Sequence, residues 1–163
     1  MRATCLVLLM IVFGSLAVPA AAAEASAEVV RDIDPAAQEA VVVVEAFSAA
    51  IKAVRIAEAS ALLDPNVLVL ESGGSERNRD HYLAEHAQAD ADYMKDARQS
   101  LRYRQARSVG DIAWVGTESV VSRDEAGKPA SSLSTETMLL RKTAQGWKIV
   151  HIHWSSRPAS SNN

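Results

Sequence analysis

Apolar residues follow a helical period in the first half of the chain and a strand period in the second. In "AAQEAVVVVEAFSAAIKAV", Val43, Phe47 and Ile51 recur at four-residue spacing, which predicts an amphipathic helix. Asp34 before Pro35 supplies its start, because Asp caps orphan amides and Pro fits the first turn. "RIAEASALL" predicts a second, short helix stopping before Asp64-Pro65, and "NVLVLE" a strand closed by Ser72-Gly73-Gly74. "NRDHYLAEHAQADADYMKDA" then predicts a third helix, beginning near Asn78 or Asp80. From Arg98 onward four strand-length runs follow: "RQSLRYRQARSV", "IAWVGTESVVS", "SSLSTETMLLRK" and "GWKIVHIHWSS". Gly110-Asp111, "RDEAGKP" and "TAQG" separate them, and such short turns make successive strands antiparallel neighbours. Helices first and an antiparallel meander afterwards predict an α+β fold, a curved sheet packed on three N-terminal helices.

The first 23 residues stand apart from that pattern. Arg2 is a basic start, Leu6 to Val18 form a short apolar core, and "PAAAAEA" places small residues where cleavage after Ala23 is expected. Residues 1–23 are therefore expected to be a signal peptide, and the mature chain to be secreted or periplasmic, beginning near Glu24. The only cysteine, Cys5, lies inside that leader, so thiolate and disulfide chemistry are excluded from the mature chain. The formal charge of −3 includes +1 from Arg2, so the mature chain carries −4. A mildly acidic chain without a basic run argues against nucleic acid and, after leader cleavage, against anionic membranes as partners. Small polar residues dominate 24–35 and 158–163, which are expected to be a disordered lead and tail around one domain over 36–157.

"LESGGSERNRDHYLAEHAQAD" followed by "ETMLLRKTAQGWKIVHIHWSS" resembles the SnoaL-like proteins of exported bacterial type. The element order resembles the wider nuclear transport factor 2-like superfamily, whose cone-shaped fold ketosteroid isomerase shares. The resemblance covers roughly 36–157. It implies a concave sheet face that forms a pocket against the helices, and a convex face that often makes a homodimer. It says little about reaction, because the superfamily includes isomerases, cyclases, dehydratases and members that only bind or assemble. Glu71 sits near where ketosteroid isomerase places its base. The first helix has no tyrosine, however, and Asp111 and Asp124 lie in turns, so that activity is not carried over.

Strand alternation places Trp147, Ile149, His151, His153 and Ser155 on one face, here assigned to the pocket. Val150, Ile152 and Trp154 then become candidate dimer contacts, with core packing as the alternative. If "TAQG" closes a tight hairpin, Met138 faces His151, Glu136 faces His153 and Ser134 faces Ser155. Glu136 beside His153 is a candidate acid/base pair, although a structural cross-strand pair would look the same. The Gly110-Asp111 turn sets Tyr103 opposite Glu118 and Leu101 opposite Val120, with Arg102 and Arg104 on a solvated face. On the third helix Tyr82, His86 and Asp90 share one stripe, and Glu71 closes the preceding strand near the pocket mouth.

Three functions stay open. The first is a pocket protein binding a small, partly apolar molecule, its reaction unassigned. The second is a cofactor-free isomerase, cyclase or dehydratase using His153 and Glu136. The third is a periplasmic metal binder using His86, Asp90, His151 and His153, a donor set suited to zinc or copper. No nucleophile elbow or phosphate loop is present, and no cofactor is expected.

Overall fold

The computed structural model describes residues 29–159. The expected leader, with its cleavage site, lies outside them. Among the described residues are four α-helices: α1 (Gln38–Lys52), α2 (Ile56–Leu62), α3 (Arg79–Glu85) and α4 (Ala87–Lys95). Seven strands form one sheet: β1 (Val30–Ile33), β2 (Leu63–Glu71), β3 (Gly74–Glu76), β4 (Arg98–Val109), β5 (Ile112–Glu125), β6 (Lys128–Thr143) and β7 (Gly146–Pro158). The spatial order is β1-β4-β5-β6-β7-β2-β3. Strands β4 to β7 form the expected antiparallel meander, while β1 lies parallel to β4 and β2 parallel to β7. The α+β arrangement stands, with a mixed, mostly antiparallel sheet.

Asp34 caps as expected: its Oδ1 accepts from the Ala36 amide at 3.0 Å, and Pro35 opens a 3-10 turn leading into α1. One stripe of α1, comprising Ala40, Val41, Val44, Phe47, Ala50 and Ile51, is buried against the sheet, and Val43 packs only half-buried at its margin. The third predicted helix is two. Its chain breaks at His86, where φ is −124° and the side chain turns aside to meet Glu76 at 2.7 Å. The lead also departs from expectation. Residues 30–33 are strand β1, tied to β4 by the backbone ladder and by Asp32, which pairs with Arg107 at 2.7 Å. Edge pairing there supplies what the sparse apolar content of 24–35 does not.

The β6–β7 hairpin overturns the predicted face assignment. Thr143, Lys142 and Leu140 oppose Gly146, Trp147 and Ile149 as the tight turn requires. The ladder then shifts by one residue at Val150, so that Leu139, not Met138, opposes His151. Thr137 accordingly opposes His153, and Glu136 opposes Trp154. An inserted bulge residue reverses every side chain beyond it. Trp147, Ile149, Ile152 and Trp154 thus all face the helices, and Ile152 is fully buried rather than a dimer contact. Strict alternation would instead have buried two imidazoles and exposed Ile152 and Trp154. Burying each large apolar side chain is worth about 1.5–3 kcal/mol, whereas sheltering an unpaired polar group costs energy.

A second shift lies in β4 at Arg102. Tyr103 opposes Glu118 and Arg107 opposes Trp114 as predicted, but Leu101 opposes Ser119 rather than Val120. The shift turns Leu101 and Gln99 to the inner face, while Arg104, expected in solvent, lies on the unshifted stretch opposite Thr117, faces inward and is only 7% exposed.

Candidate functional site

Between the inner sheet face and helices α1 and α4 lies a cavity of about 440 Å³. Phe47 and Ile51 from α1 and Met94 from α4 form its apolar roof, and Val121 and Trp154 its apolar floor. Ser119, Ser132, Ser134 and Ser156 add hydroxyls from β5, β6 and β7. Glu71, Asp90 and Glu136 add three carboxyl groups.

Glu136 is held in place by the bulged strand opposite. The Trp154 indole N–H donates to its Oε2 at 2.8 Å, and Phe47 stacks on Trp154 with ring centroids 6.5 Å apart. Burial pushes the Glu136 carboxyl above its ordinary range, and the Trp154 bond and the Arg104 charge offset only part of that rise. Arg104 lies beneath this wall, with Nη1 2.6 Å from Glu45 Oε1 and Nε donating to Thr117 Oγ1 at 3.3 Å.

The second polar group sits where α3 meets α4. The fully buried Tyr82 donates its hydroxyl to Asp90 Oδ2 at 2.9 Å. Burial raises the Asp90 carboxyl despite that bond, and burial followed by the Asp90 charge raises Glu71. Burial and the same carboxylate push Tyr82 ionisation far upward, so its hydroxyl remains a donor. His86 Nδ1 meets Glu76 Oε1 at 2.7 Å, with the imidazole half exposed and the carboxyl buried.

The structure thus brings Glu71, Asp90 and Glu136 to one space, with Tyr82 and His86 supporting it from behind. Ser155 reaches the rim. Tyr103 and Glu118 are cross-strand partners, but on the outer sheet face, away from the cavity. His151 also lies outside, with Nδ1 2.9 Å from the Leu68 carbonyl oxygen, and His153 is exposed. The predicted Glu136–His153 pair is therefore replaced by Glu136–Trp154. The four-donor metal set is split by the sheet, His86 and Asp90 on one side and His151 and His153 on the other. Among the described residues no group of three or more His, Cys, Asp or Glu is placed to hold a metal.

Sequence reasoning missed Trp154, Phe47 and Arg104. One trace of the bulge was present: both faces of the last strand read as apolar. A strand that shows two apolar faces under strict alternation shows one once a residue is inserted between Ile149 and Ile152.

A family model described as a SnoaL-like domain matches residues 41–160. Among solved structures, the chain is similar to a provisionally named ketosteroid isomerase from Shewanella frigidimarina NCIMB 400. The two are 33% identical over 76% of this chain and 99% of that one, with a TM-score of 0.70. An NTF2-like protein with a cystatin-like fold from Novosphingobium aromaticivorans is 20% identical over 76% and 83%, with a TM-score of 0.63. A provisionally named dehydratase of the NTF2-like family from Streptomyces avermitilis is 19% identical over 76% and 96%, also at 0.63. The last two likenesses show the fold alone. No curated protein matches the chain.

Proposed function

We propose, from the premise that the chain belongs to the SnoaL-like domain family, that the domain holds a small, partly apolar molecule in the cavity beneath α1 and α4. The observation that carries this reading is the lining of that space. An aromatic and aliphatic lining with a few positioned polar groups is the usual construction of a small-molecule site. Trp154 and Glu136 are its best-defined polar contact, since the indole fixes one carboxyl oxygen of a side chain that lines the space. The protein is proposed to act after export, cut near Glu24 as its leader predicts; protein found only in the cytoplasm, with Met1 intact, would refute this.

Fragment binding followed through the Trp154 indole N–H resonance tests the cavity. Hits should move that resonance, and Ser134→Phe, which places a ring in the space, should abolish the shift. Binding that leaves Trp154 unmoved would place the ligand elsewhere and sink the reading.

A specific observation favours acid/base conversion as a second reading. Asp90 and Glu136 face the same cavity, and burial raises both toward the range useful for proton transfer. The provisional isomerase name of the 33% identical relative supports the same class. His153 has no part in it, because it projects from the opposite face.

A further inference from the structure

We propose that this cavity selects small organic cations, an ammonium group on an apolar or aromatic frame, over neutral or anionic molecules of the same shape. The inference rests on the reading of the cavity as a small-molecule site and specifies its ligand class.

The charges around the space do not balance. Glu71, Asp90 and Glu136 line it, and no Lys, Arg or His is among its lining residues. Behind the walls, Arg104 is shared with Glu45, and His86 is paired with Glu76. With Arg123, which lies over the Tyr93 ring and beside Glu125, six carboxyl groups stand against two guanidiniums and one imidazole, and each base is already engaged by a carboxyl outside the lining. Arg102 and Arg157 serve a different groove, which meets this cavity only at Ser119, Ser134, Ser155 and Ser156. In an interior of low effective dielectric, an uncompensated carboxylate attracts a cation far more strongly than it would in water.

The remaining walls suit an organic cation rather than a hydrated metal ion. Phe47, Tyr93 and Trp154 present π systems, which attract ammonium and guanidinium groups, while Ile51, Met94 and Val121 accept an apolar frame. The molecule already makes one contact of this type, since the Arg123 guanidinium lies 4.4 Å from the Tyr93 ring centroid. Serine hydroxyls offer acceptors for the ammonium N–H groups. An anion would find three carboxyls and no basic side chain on the lining. Burial raises the pKa values of Glu71, Asp90 and Glu136, and a cation seated beside them would favour their ionised forms.

The test compares benzylamine, benzyl alcohol and benzoate, titrated into the mature chain at pH 7 and followed through the Trp154 indole N–H. Benzylamine should bind about tenfold more tightly than benzyl alcohol, and benzoate should not bind. Glu136→Gln and Asp90→Asn keep acceptors for Trp154 and Tyr82, so each should bring benzylamine and benzyl alcohol toward parity. Glu118→Gln, on the outer face, should leave the preference intact. Benzyl alcohol binding as tightly as benzylamine would overturn the cation preference while leaving a small-molecule site standing. Calcium chloride reproducing the Trp154 shift would overturn it in favour of a metal ion. If no probe moves Trp154, both this inference and the small-molecule reading fail.

Discussion

Glu136 is under two opposing influences, and pH separates them. Desolvation disfavours its charge, while the Trp154 N–H and the Arg104 guanidinium favour it; desolvation is the larger. Its pKa in the folded chain therefore lies above the ordinary 4.5 that it recovers on unfolding. A raised carboxyl favours folding when protonated, so its contribution is complete below pH 4.5 and is lost as pH rises through the folded value. Glu136→Gln keeps the acceptor for Trp154 and removes the charge. Thermal melts should show the variant above wild type at pH 8, with the gap closing below pH 4.5. A variant melting lower at pH 8 would mean that the ionised carboxylate stabilises this wall.

The bulge at Val150 is the element on which the site depends. Deleting Val150 should preserve the pairing of Leu139 with His151 and of Glu136 with Trp154, because the strand then alternates without interruption from Ile149 onward. We expect a folded protein destabilised by about 1–3 kcal/mol, with the Trp154 indole still bonded and sheltered from water. Solvent-exposed Trp154 fluorescence in the deletion variant would show that the bulge does not set the faces. The break at His86 has a related effect. Backbone bonds from His86 to Tyr82 and from Asp90 to His86 persist across it. The predicted helical stripe therefore survives, and the Tyr82 hydroxyl still reaches Asp90 two turns on.

Across the whole molecule, the bulge also decides what the outer sheet face offers. Arg107, Trp114, Leu139, His151 and Leu68 form one cross-strand row over five strands of that face. Trp114 and Leu139 are half-buried there and Leu68 is 37% exposed. We propose that a homodimer, if formed, uses this row and not the residues Val150, Ile152 and Trp154 that strict alternation selects. Sizing should show a dimer that Trp114→Glu converts to monomer. Wild type eluting as monomer at high concentration would refute it.

The main helices and the four-strand meander were legible in the chain because they depend on neighbours in sequence, whereas β1, β3 and the break between α3 and α4 were not. The α1 stripe through Phe47 and Ile51, the Asp34 and Asn78 caps, and the "TAQG" turn are all local features, and each forms in the structure. The α+β class and the family resemblance followed from them. Which side of the sheet each later residue faces was not legible. Two inserted residues, Arg102 and Val150, set those faces, and neither carries a local turn signature. Tertiary packing chose them: with the bulges, Ile152 and Trp154 reach the helices, His151 and His153 stay on the outer face, and Gln99 reaches Ser119 on the inner one. Periodicity therefore determined where strands run, while burial against α1 and α4 decided which side chains enter the cavity.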